Sequence, residues 1–497
     1  MTSNLEAKFS QPQRLHPIAM VFSLFHTIRE LIFEIGIGLL LTLRESFVFF
    51  AVFGIGLFLF LIVFSVLRWY RFTYYIEGDE LRIEQGVFVR KKRYISIHRI
   101  HKIDITANIL HRPFQLVQVQ IDTASNSDEA EVSLRAIREK EARELRQLLQ
   151  QEKSAKVSEE PELEQTFRQI TWKRLFFAGT TSGSVGIILL ALLTFLSQIE
   201  DLIPRDYFNV AFHWLVGDGG FRIFGLLAFF IFLLWIFGIA GTMLRYGGFR
   251  IEKGEKELFV KRGLLERKEL TIPFDRIQAI GVEQSPIRQP FGYVTVFAVV
   301  AGGSFDQLEE FPVLFPMLHQ REVDAFLREF VPDYSHRSIN APLHRLPKKS
   351  VSFFIAKALV YPLLLLFILL YFIPSLYWLA IVFLLANLIL SMFQYKDSGY
   401  HIKGEGLTLQ RRSLNKLTLY TKKNRIQALE KRTHKLQSLF QVASVTISLI
   451  NTQGMGSHYS LAHLREEEAN KIAGWFSYRK EKPLEKEAFE VQSVDRT

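Results

Sequence analysis

Long hydrophobic runs alternate with mixed, polar segments along this chain. Six apolar runs occupy residues 17–43, 47–67, 175–197, 224–244, 353–373 and 376–393. Residues 47–67 contain no charged side chain, and about 20 apolar residues suffice to cross a bilayer as a helix. The runs come in pairs, and each pair precedes one segment of short β-patterned runs. The pattern therefore predicts six transmembrane α-helices in three pairs, each pair followed by a soluble unit.

The three soluble segments are copies of one another. In each copy an Arg-Ile pair is followed by Phe 15 residues after the Arg and by Val five residues later. A spacing kept three times indicates a repeated domain. The corresponding residues are Arg99, Phe114 and Val119 in the first copy, Arg276, Phe291 and Val296 in the second, and Arg425, Phe440 and Val445 in the third.

Each copy has a β-pattern that ends in one helix. In the first copy the predicted strands are Tyr74–Ile76, Leu81–Ile83, Val87–Val89, Tyr94–Ile97 and Leu116–Ile121. Ile137, Glu141 and Leu145 then follow at helical spacing. Gly86 and Gly263 stand where a tight turn needs positive φ, whereas the third copy has Arg412-Ser413 there and must turn differently. We expect five to seven strands in a small curved sheet or barrel, closed by a helix.

These patterns divide the chain into alternating membrane, β and linker segments. Polar composition, and the prolines of the second linker, predict that both linkers are flexible and that the charged tail is disordered. The predicted boundaries are a polar N-terminal segment 1–16, helix pair 1 at 17–67, unit 1 at 68–150, a linker at 151–171, helix pair 2 at 172–246, unit 2 at 247–331, a linker at 332–350, helix pair 3 at 351–395, unit 3 at 396–478 and a charged tail at 479–497.

Charge predicts the orientation of the chain in a membrane. Nine basic residues border the hydrophobic runs on the side of the units, whereas three border them on the other side. Since cytoplasmic flanks are enriched in Lys and Arg, we expect the three units and both termini in the cytoplasm of a multi-pass cell-membrane protein. The nine are Arg68, Arg71, Lys173, Arg174, Arg245, Arg250, Lys348, Lys349 and Lys396, and the three are Arg44, Arg205 and Arg222.

Several motifs carry a resemblance to a known family. They are the Arg14–Pro17 run before the first hydrophobic segment, the Arg-Ile-His/Gln motif at 99–101, 276–278 and 425–427, and the segments Arg112–Phe114 and Gln289–Gly292. With them the chain resembles the bacterial PH-like membrane proteins of the YdbS/YdbT type, and its three units resemble YdbT more than the single-unit YdbS. The resemblance implies two packed, curved sheets with seven strands, capped by a C-terminal helix, and no catalytic residues. The third unit departs from the pattern at Ser438–Phe440, which lacks the proline.

Two sets of basic residues are candidate contacts for a ligand or partner. The repeated Arg99, Arg276 and Arg425 either hold backbone carbonyls across a turn or bind an anion or partner at the mouth of the barrel. The third unit carries ten Lys and Arg against two Glu over residues 400–437. This excess indicates either contact with anionic headgroups or a solvated face made basic by the same bias that orients the helices. Its candidate contacts are Arg411, Arg412, Lys422 and Lys423.

Charges interrupt the first hydrophobic run. Arg29, Glu30 and Glu34 stand within residues 17–43. A charge at mid-bilayer costs roughly 2.5–3.5 kcal/mol on insertion scales, so these groups are expected to face the helix bundle. The structural interpretation is a charge pair, and the functional alternative is an ion path.

Enzyme, cofactor and metal signatures are missing from the sequence. There is no HExxH, P-loop, GxSxG or EF-hand motif, and there is no cysteine, so disulfides and thiolate metal sites are excluded. The net charge of +11 favours anionic partners, but no exposed aromatic pattern favours nucleic acid. We expect a non-enzymatic binding or scaffolding platform with anionic lipids as partners. The resemblance adds a YdbS-like membrane partner and a role in envelope maintenance or stress resistance. The alternative is a six-span transporter or channel that the units regulate.

Overall fold

The computed structural model describes residues 8–30, 47–107, 111–123, 132–154, 166–181, 221–302, 311–451 and 456–477. The chain divides into two compact bodies, a larger one that runs to Ser335 and a smaller one formed mainly by residues from His336 onward. The larger body contains the first two units, and the smaller body contains the third.

The described helices and strands follow the predicted alternation. The helices are α1 Ala19–Glu30, α2 Phe47–Tyr70, α3 Glu139–Ser154, α4 Trp172–Thr180, α5 Phe221–Tyr246, α6 Val323–Phe330, α7 Val351–Phe372, α8 Tyr377–Asp397, α9 Lys435–Leu439 and α10 Glu466–Phe476. The strands of the first unit are β1 Thr73–Glu77, β2 Glu80–Gln85, β3 Lys91–Ser96, β4 Ile100–Ala107, β5 Leu116–Thr123 and β6 Val132–Arg138. The strands associated with the second unit are β7 Phe167–Gln169, β8 Arg250–Lys253, β9 Glu257–Arg262, β10 Arg267–Pro273, β11 Ile277–Gln284, β12 Tyr293–Val300 and β13 Val313–His319. Those associated with the third unit are β14 His344–Arg345, β15 Gly399–Lys403, β16 Gly406–Arg412, β17 Lys416–Lys422, β18 Ala428–Arg432, β19 Val442–Ile450 and β20 Gly456–Arg465.

Three of the described helices are long and apolar enough to cross a membrane. The candidate spans are Phe224–Tyr246, Lys348–Phe372 and Pro374–Asp397, and a shorter apolar segment, Gly54–Tyr70, lies within α2. The helices contact one another in pairs. The Ser65 hydroxyl of α2 donates to the Met20 carbonyl of α1 at 2.7 Å. A Cβ on Gly179 of α4 would lie 2.9 Å from the Cα of Ile239 in α5, so this pair is closely packed.

Among the described residues, each unit has six strands of its own, arranged as three and three. In the first unit β1, β2 and β3 form one antiparallel sheet, and β4, β5 and β6 pair in a second. The second and third units repeat this arrangement with β8–β10 and β11–β13, and with β15–β17 and β18–β20. These six described strands per unit are one fewer than the resemblance implied.

The missing strand comes from the segment before each helix pair. In the second unit β7 pairs with β8, and in the third β14 pairs with β15. In the first unit a single bridge joins Gln13 to Tyr74. The flexibility expected of residues 332–350 is therefore wrong, because backbone hydrogen bonds fix His344 and Arg345 to the first strand of the third unit. Residues 155–165 of the first linker lie outside the described residues, so its flexibility stays a prediction.

The closing helix buries one apolar face against the strands. In α3 the buried residues are Ala142, Leu145, Leu148 and Leu149, which recur at helical spacing. In the second unit Phe326 and Phe330 of α6 are fully buried, and Phe326 meets Phe315 of β13 edge-on. The predicted helix is confirmed, but it begins at Glu139, so Ile137 belongs to the end of β6.

The turn between the second and third strands of the units follows the predicted glycine rule. Gly86 has φ +114° and Gly263 has φ +101°, and a Cβ on Gly86 would lie 2.0 Å from the Val89 carbonyl oxygen. The third unit uses a different turn, in which the Ser413 N–H donates to the Asn415 carbonyl at 3.2 Å. In the first unit, Val87–Val89 are part of the turn between β2 and β3 and do not form the predicted strand, because Gly86 already reverses the chain.

Within the larger body the first two units share a sheet. Strand β4 of the first unit pairs antiparallel with β10 of the second, with Ala107 opposite Arg267 and Ile105 opposite Glu269. The shared sheet has the order β6-β5-β4-β10-β9-β8-β7. The fourth strand of the first unit is thus paired, along its free edge, with the third strand of the second unit.

Candidate lipid- and protein-binding surfaces

The turn between β2 and β3, here called the first tip (residues 86–90), lies beside the helix that precedes its unit. The Phe88 ring stacks on Phe64 of α2 with 6.1 Å between the ring centroids. Phe88 is nevertheless 85% exposed and Val89 is 69% exposed. An exposed apolar turn that touches an apolar helix is a candidate contact for lipid.

The equivalent turns of the other units also dock on the end of a helix. In the second unit the Leu264 N–H donates to the Leu244 carbonyl of α5 at 2.9 Å. In the third the Gln394 side chain of α8 donates to the Ser413 carbonyl at 2.8 Å. Leu414, the central residue of that turn, is 60% exposed. All three units therefore present apolar side chains at this turn.

A second contact joins each unit to the first helix of its pair. The contact is between aromatic or imidazole rings in all three units, and two of the repeated Phe residues take part. The ring pairs are Phe22 with His111 at 4.1 Å, Phe177 with Phe291 at 5.0 Å and Phe353 with Phe440 at 5.4 Å. Burial lowers the pKa of His111, which favours the neutral ring in this contact. Each unit is thus held by both helices of its pair.

The repeated arginines lie at equivalent places in their units. Each is the last residue of a short 3-10 turn that leads from the third strand to the fourth. Arg99 is exposed, whereas Arg276 and Arg425 are half-buried. The Nε of Arg425 is buried and has no hydrogen-bond partner in the described part of the chain. Each arginine stands in its own unit, so an anion- or partner-binding role remains a prediction for each one separately.

Two of the basic candidates in the third unit contact the end of the membrane helix or a strand of the sheet. The Arg412 Nε donates to Asp397 Oδ2 at 2.5 Å, at the last residue of α8, and Arg412 is 7% exposed. The Arg411 guanidinium lies 5.5 Å from the centre of the Tyr459 ring. Arg412 therefore joins the third unit to its helix, and Arg411 is the more accessible of the two.

The other two candidates lie at the end of β17. The Lys423 ammonium is 5.9 Å from the centre of the Trp475 ring of α10, a cation–π distance. Lys422 is half-buried at the end of the strand. These lysines and the Arg411–Arg412 pair lie at opposite ends of the β16–β17 hairpin, since Arg412 faces Lys416 while Gly406 faces Lys422.

The structure describes only the backbone of two of the three charged residues predicted to lie inside the membrane. Arg29 and Glu30 are the last two residues of α1. Glu34 lies outside the described residues. The pairing or ion-path interpretations of these three residues therefore remain predictions.

The junction between the first two units contains a small polar network. Asp104 of β4 is 3% exposed, and its Oδ1 accepts the Thr271 N–H of β10 at 3.2 Å. Arg146 of α3 donates to the Thr271 hydroxyl at 3.1 Å and pairs with Glu269 at 3.4 Å. The Arg146 guanidinium also lies 5.0 Å from the centre of the Phe259 ring. The first unit thus recognises the third strand of the second through backbone pairing and charged side chains together.

Another ion-pair network was missed from the sequence. Glu322, which precedes α6, accepts from Arg174 at 2.7 and 3.0 Å and from Arg168 at 2.9 Å. Hydrogen bonding by Arg174 lowers the pKa of the Glu322 carboxyl. Glutamates recur near the start of this helix in all three units, where the helix dipole alone would account for an acid. Only the tertiary structure reveals the arginines from α4 and β7.

The residues of the first tip were also missed. The sequence Gly-Val-Phe-Val-Arg at 86–90 has β-forming residues, and these suggested a strand. The available signal was an apolar cluster directly after a turn glycine, where turns usually carry polar residues.

Histidines and carboxylates do not assemble into a metal site within the described ranges. Those residues contain no group of three or more His, Cys, Asp or Glu arranged to hold a metal ion. His98 of the first unit lies 3.6 Å from Asp79. That pair is exposed at the surface and offers two ligands at most.

Comparison with known proteins identifies the repeated unit. The Bacterial PH domain family matches the chain three times, over residues 30–153, 188–330 and 355–480. The UPF0699 transmembrane protein YdbT of Bacillus subtilis (strain 168) is 33% identical over 493 residues, which cover 95% of this chain and 99% of that protein. No solved structure matches the chain. The chain therefore belongs to the family of bacterial PH domain proteins, as a membrane protein with three copies of the domain.

Proposed function

We propose that the chain is a cell-membrane platform that presents three PH-like units to the cytoplasm and binds a second PH-like membrane protein. Six spans in three pairs anchor it, supported by the contacts within each described helix pair. The basic flanks of the hydrophobic runs support the cytoplasmic orientation of the units and termini. Basic rims contact anionic headgroups, and the candidates include Arg99, Arg411 and Lys423.

The observation that carries the proposal is the pairing of β4 with β10. It demonstrates that one PH-like unit of this chain binds the third strand of another by adding it to its own sheet. Strand addition of this kind is a general mode of protein recognition, because the backbone supplies the hydrogen bonds and nearby side chains supply selectivity. A platform made of such units is suited to bind further units of the same type.

The third unit offers the corresponding strand to a partner. Strand β18 occupies the place of β4 and borders β19, and within the described residues no strand lies on its other side. Ala428, Glu430 and Arg432 are exposed, whereas Asp104 of β4 is buried under β10. Glu430 follows Arg425 by five residues, as Asp104 follows Arg99. An acid is thus present at the position that accepts an incoming backbone N–H in the first junction.

The partner that fits β18 is the third strand of a single PH-like unit, as in the YdbS type. Such a partner would be anchored in the same membrane, which confines both proteins to a surface and raises their effective concentration. A role in envelope maintenance or stress resistance follows from the resemblance to this family. The platform itself performs no catalytic step.

Site-specific photo-crosslinking in native membranes tests the proposal. A crosslinker at Glu430 of the full-length chain should yield an adduct with a single-unit PH-like membrane protein, identified by mass spectrometry. A crosslinker at Glu405, an exposed turn residue of the same unit, is the control. Equal adducts at both positions, an adduct with another copy of this chain, or none at Glu430 would contradict the proposal.

The transporter alternative makes a different prediction. Purified chain in proteoliposomes should move no solute on its own if it is a platform. Solute movement that is sensitive to Glu34→Gln would contradict the platform and favour a channel or transporter.

A further inference from the structure

The first tip has three properties that the proposed partner docking does not use. It is apolar at its centre, it is followed by basic residues, and it lies beside a helix whose sequence is apolar. Phe88 and Val89 are the most exposed large hydrophobic residues in the described part of the first unit. Arg90, Lys91 and Arg93 follow them directly and are exposed.

The position of the tip along α2 places it at the membrane boundary. Phe64, on which Phe88 stacks, precedes Arg68 by four residues, which is about 6 Å along a helix. Arg68, Trp69 and Tyr70 end α2, and basic and aromatic residues of this kind mark the interface between hydrocarbon and headgroups. Phe88 therefore lies at a depth where its neighbours are acyl chains.

The basic residues lie one step further from the membrane centre. Lys92 is neutralised by Glu84 at 2.9 Å, and this pairing raises the pKa of Lys92. Lys91 and Arg93 alternate with Lys92 along β3 and so face the opposite side of the strand. The charges of Lys91 and Arg93 are available to a headgroup, whereas the charge of Lys92 is paired with Glu84 of the neighbouring strand.

The first unit differs from the second in the accessibility of this hairpin. Strand β10 of the second unit is covered by β4. Strand β3 is the outer strand of its sheet, with β2 as its neighbour. The apolar side chains of the first tip are also more exposed than that of Leu265 in the second, which is 40% exposed.

We propose that the first tip is a lipid-binding element, in which Phe88 and Val89 insert among acyl chains while Arg90, Lys91 and Arg93 bind the headgroup of an anionic phospholipid. Apolar insertion and cationic contacts reinforce each other at an interface, as they do for amphipathic helices. The inference specifies the lipid contact of the proposed function and needs no protein partner.

The absence of cysteine from the sequence permits a direct depth measurement. Val89→Cys in the full-length chain is labelled with an environment-sensitive fluorophore in nanodiscs. The control is Asp79→Cys, in the exposed turn at the other end of β2. We expect the probe at position 89 to be quenched by nitroxide lipids and shielded from aqueous iodide, and the probe at position 79 to respond in the opposite way.

Substitutions separate the two parts of the element. Phe88→Asp, in the Val89→Cys background, should increase iodide quenching at least twofold without affecting folding, because Phe88 is 85% exposed. The double substitution Lys91→Glu and Arg93→Glu should have a comparable effect in nanodiscs containing phosphatidylglycerol but little effect in pure phosphatidylcholine. Inorganic phosphate added to phosphatidylcholine nanodiscs should not substitute for the anionic lipid.

Two results would overturn the inference. Equal iodide quenching at positions 79 and 89 would show that the tip is in water. If Lys91→Glu with Arg93→Glu changed iodide quenching at position 89 equally in anionic and neutral nanodiscs, the proposed headgroup contact would be wrong. Neither result bears on the partner crosslinked at Glu430, because the depth measurement uses the purified chain alone.

Discussion

The carboxylate of Asp104, in the first unit, accepts a hydrogen bond from the backbone N–H of Thr271, in the second unit, at 3.2 Å. Asp104 is almost fully buried, so this charge is stabilised by its partners and not by water. Arg146 reaches the same threonine from α3. The contact shows how a side chain of one unit helps to hold the incoming strand of the next.

Asp104→Ala should loosen the junction between the first two units. A hydrogen bond to a charged group contributes about 1.5–3 kcal/mol, so amide hydrogen exchange in β4 and β10 should become roughly ten- to a hundredfold faster. Mass spectrometry of peptides from 100–107 and 267–273 measures this change. Asp104→Asn retains an acceptor oxygen and should have a smaller effect. Exchange unchanged by Asp104→Ala would show that backbone pairing alone holds the junction.

Arg412→Gln should destabilise the third unit. Arg412 is buried and its Nε lies 2.5 Å from Asp397, and breaking a buried ion pair from one side costs about 3–5 kcal/mol. The measurement is the midpoint of denaturant unfolding of the purified chain. Arg411→Gln is the matched control, since it removes a cation–π contact worth about 0.5–1 kcal/mol. Reduced lipid association without loss of stability in Arg412→Gln would instead assign this arginine to the headgroups.

His336 should make the stability of the smaller body depend on pH. Burial lowers the pKa of His336 to about 4, and the nearby charges of His401, Lys403 and Arg337 act in the same direction. The unfolded chain binds this proton near pH 6.5, so between pH 6.5 and 4 it holds more protons than the folded chain. The contribution of His336 to stability is therefore fully present above pH 6.5 and declines as the pH falls, by about 2 kcal/mol between pH 7 and 5.

His336→Gln should abolish that part of the pH dependence. The imidazole Nε2 lies 3.1 Å from the Thr408 hydroxyl, a contact that a Gln amide can approximate. Unfolding midpoints at pH 7 and pH 5 are compared for the two proteins. A variant that loses as much stability between these pH values as the natural chain would contradict the assignment to His336.

Glu322→Gln should weaken the attachment of α4 and β7 to the second unit. The carboxylate pairs with both Arg168 and Arg174, and the side chains are about 30% exposed, so we expect a loss of roughly 1 kcal/mol. Hydrogen exchange over residues 166–181 reports the loosening. Because Arg174 lowers the pKa of Glu322, the same loosening should develop in the natural chain as the pH falls through the acidic range in which this carboxyl protonates. Glu266→Gln, at an exposed turn, is the control.

Local features of the fold were predictable because local chemistry determines them. Gly86 and Gly263 adopt positive φ because a Cβ there would meet a carbonyl oxygen. Leu145, Phe326 and Ile472 are fully buried, as expected of an apolar helix face that closes each unit. The resemblance to the bacterial PH-like family was carried by short motifs such as Arg14–Pro17 and Arg112–Phe114, and the comparisons confirm this family.

Contacts between distant segments were not predictable in the same way. The units have Asp104, Gly281 and Glu430 five residues after the repeated Arg, so no acid is constant at this position. Its partner is a backbone N–H in another unit, and a backbone group leaves no trace in residue identity. The pairing of β7 and β14 with the next unit also consists of backbone hydrogen bonds, so residue identity does not reveal it. Short polar segments of this kind match the composition of flexible linkers. The roles of the repeated arginines remain predictions.

The shared sheet of the first two units also constrains how the chain is made. Asp104 and Thr271 are separated by 167 positions, which a ribosome adding 5–20 residues per second takes roughly 10–30 s to translate. During that interval β4 has emerged, but β10 does not yet exist, and two hydrophobic segments have to be translated first. During its synthesis the first unit therefore has β4 without its partner strand β10, and any delay before the second unit emerges would prolong the exposure of β4 to incorrect pairing.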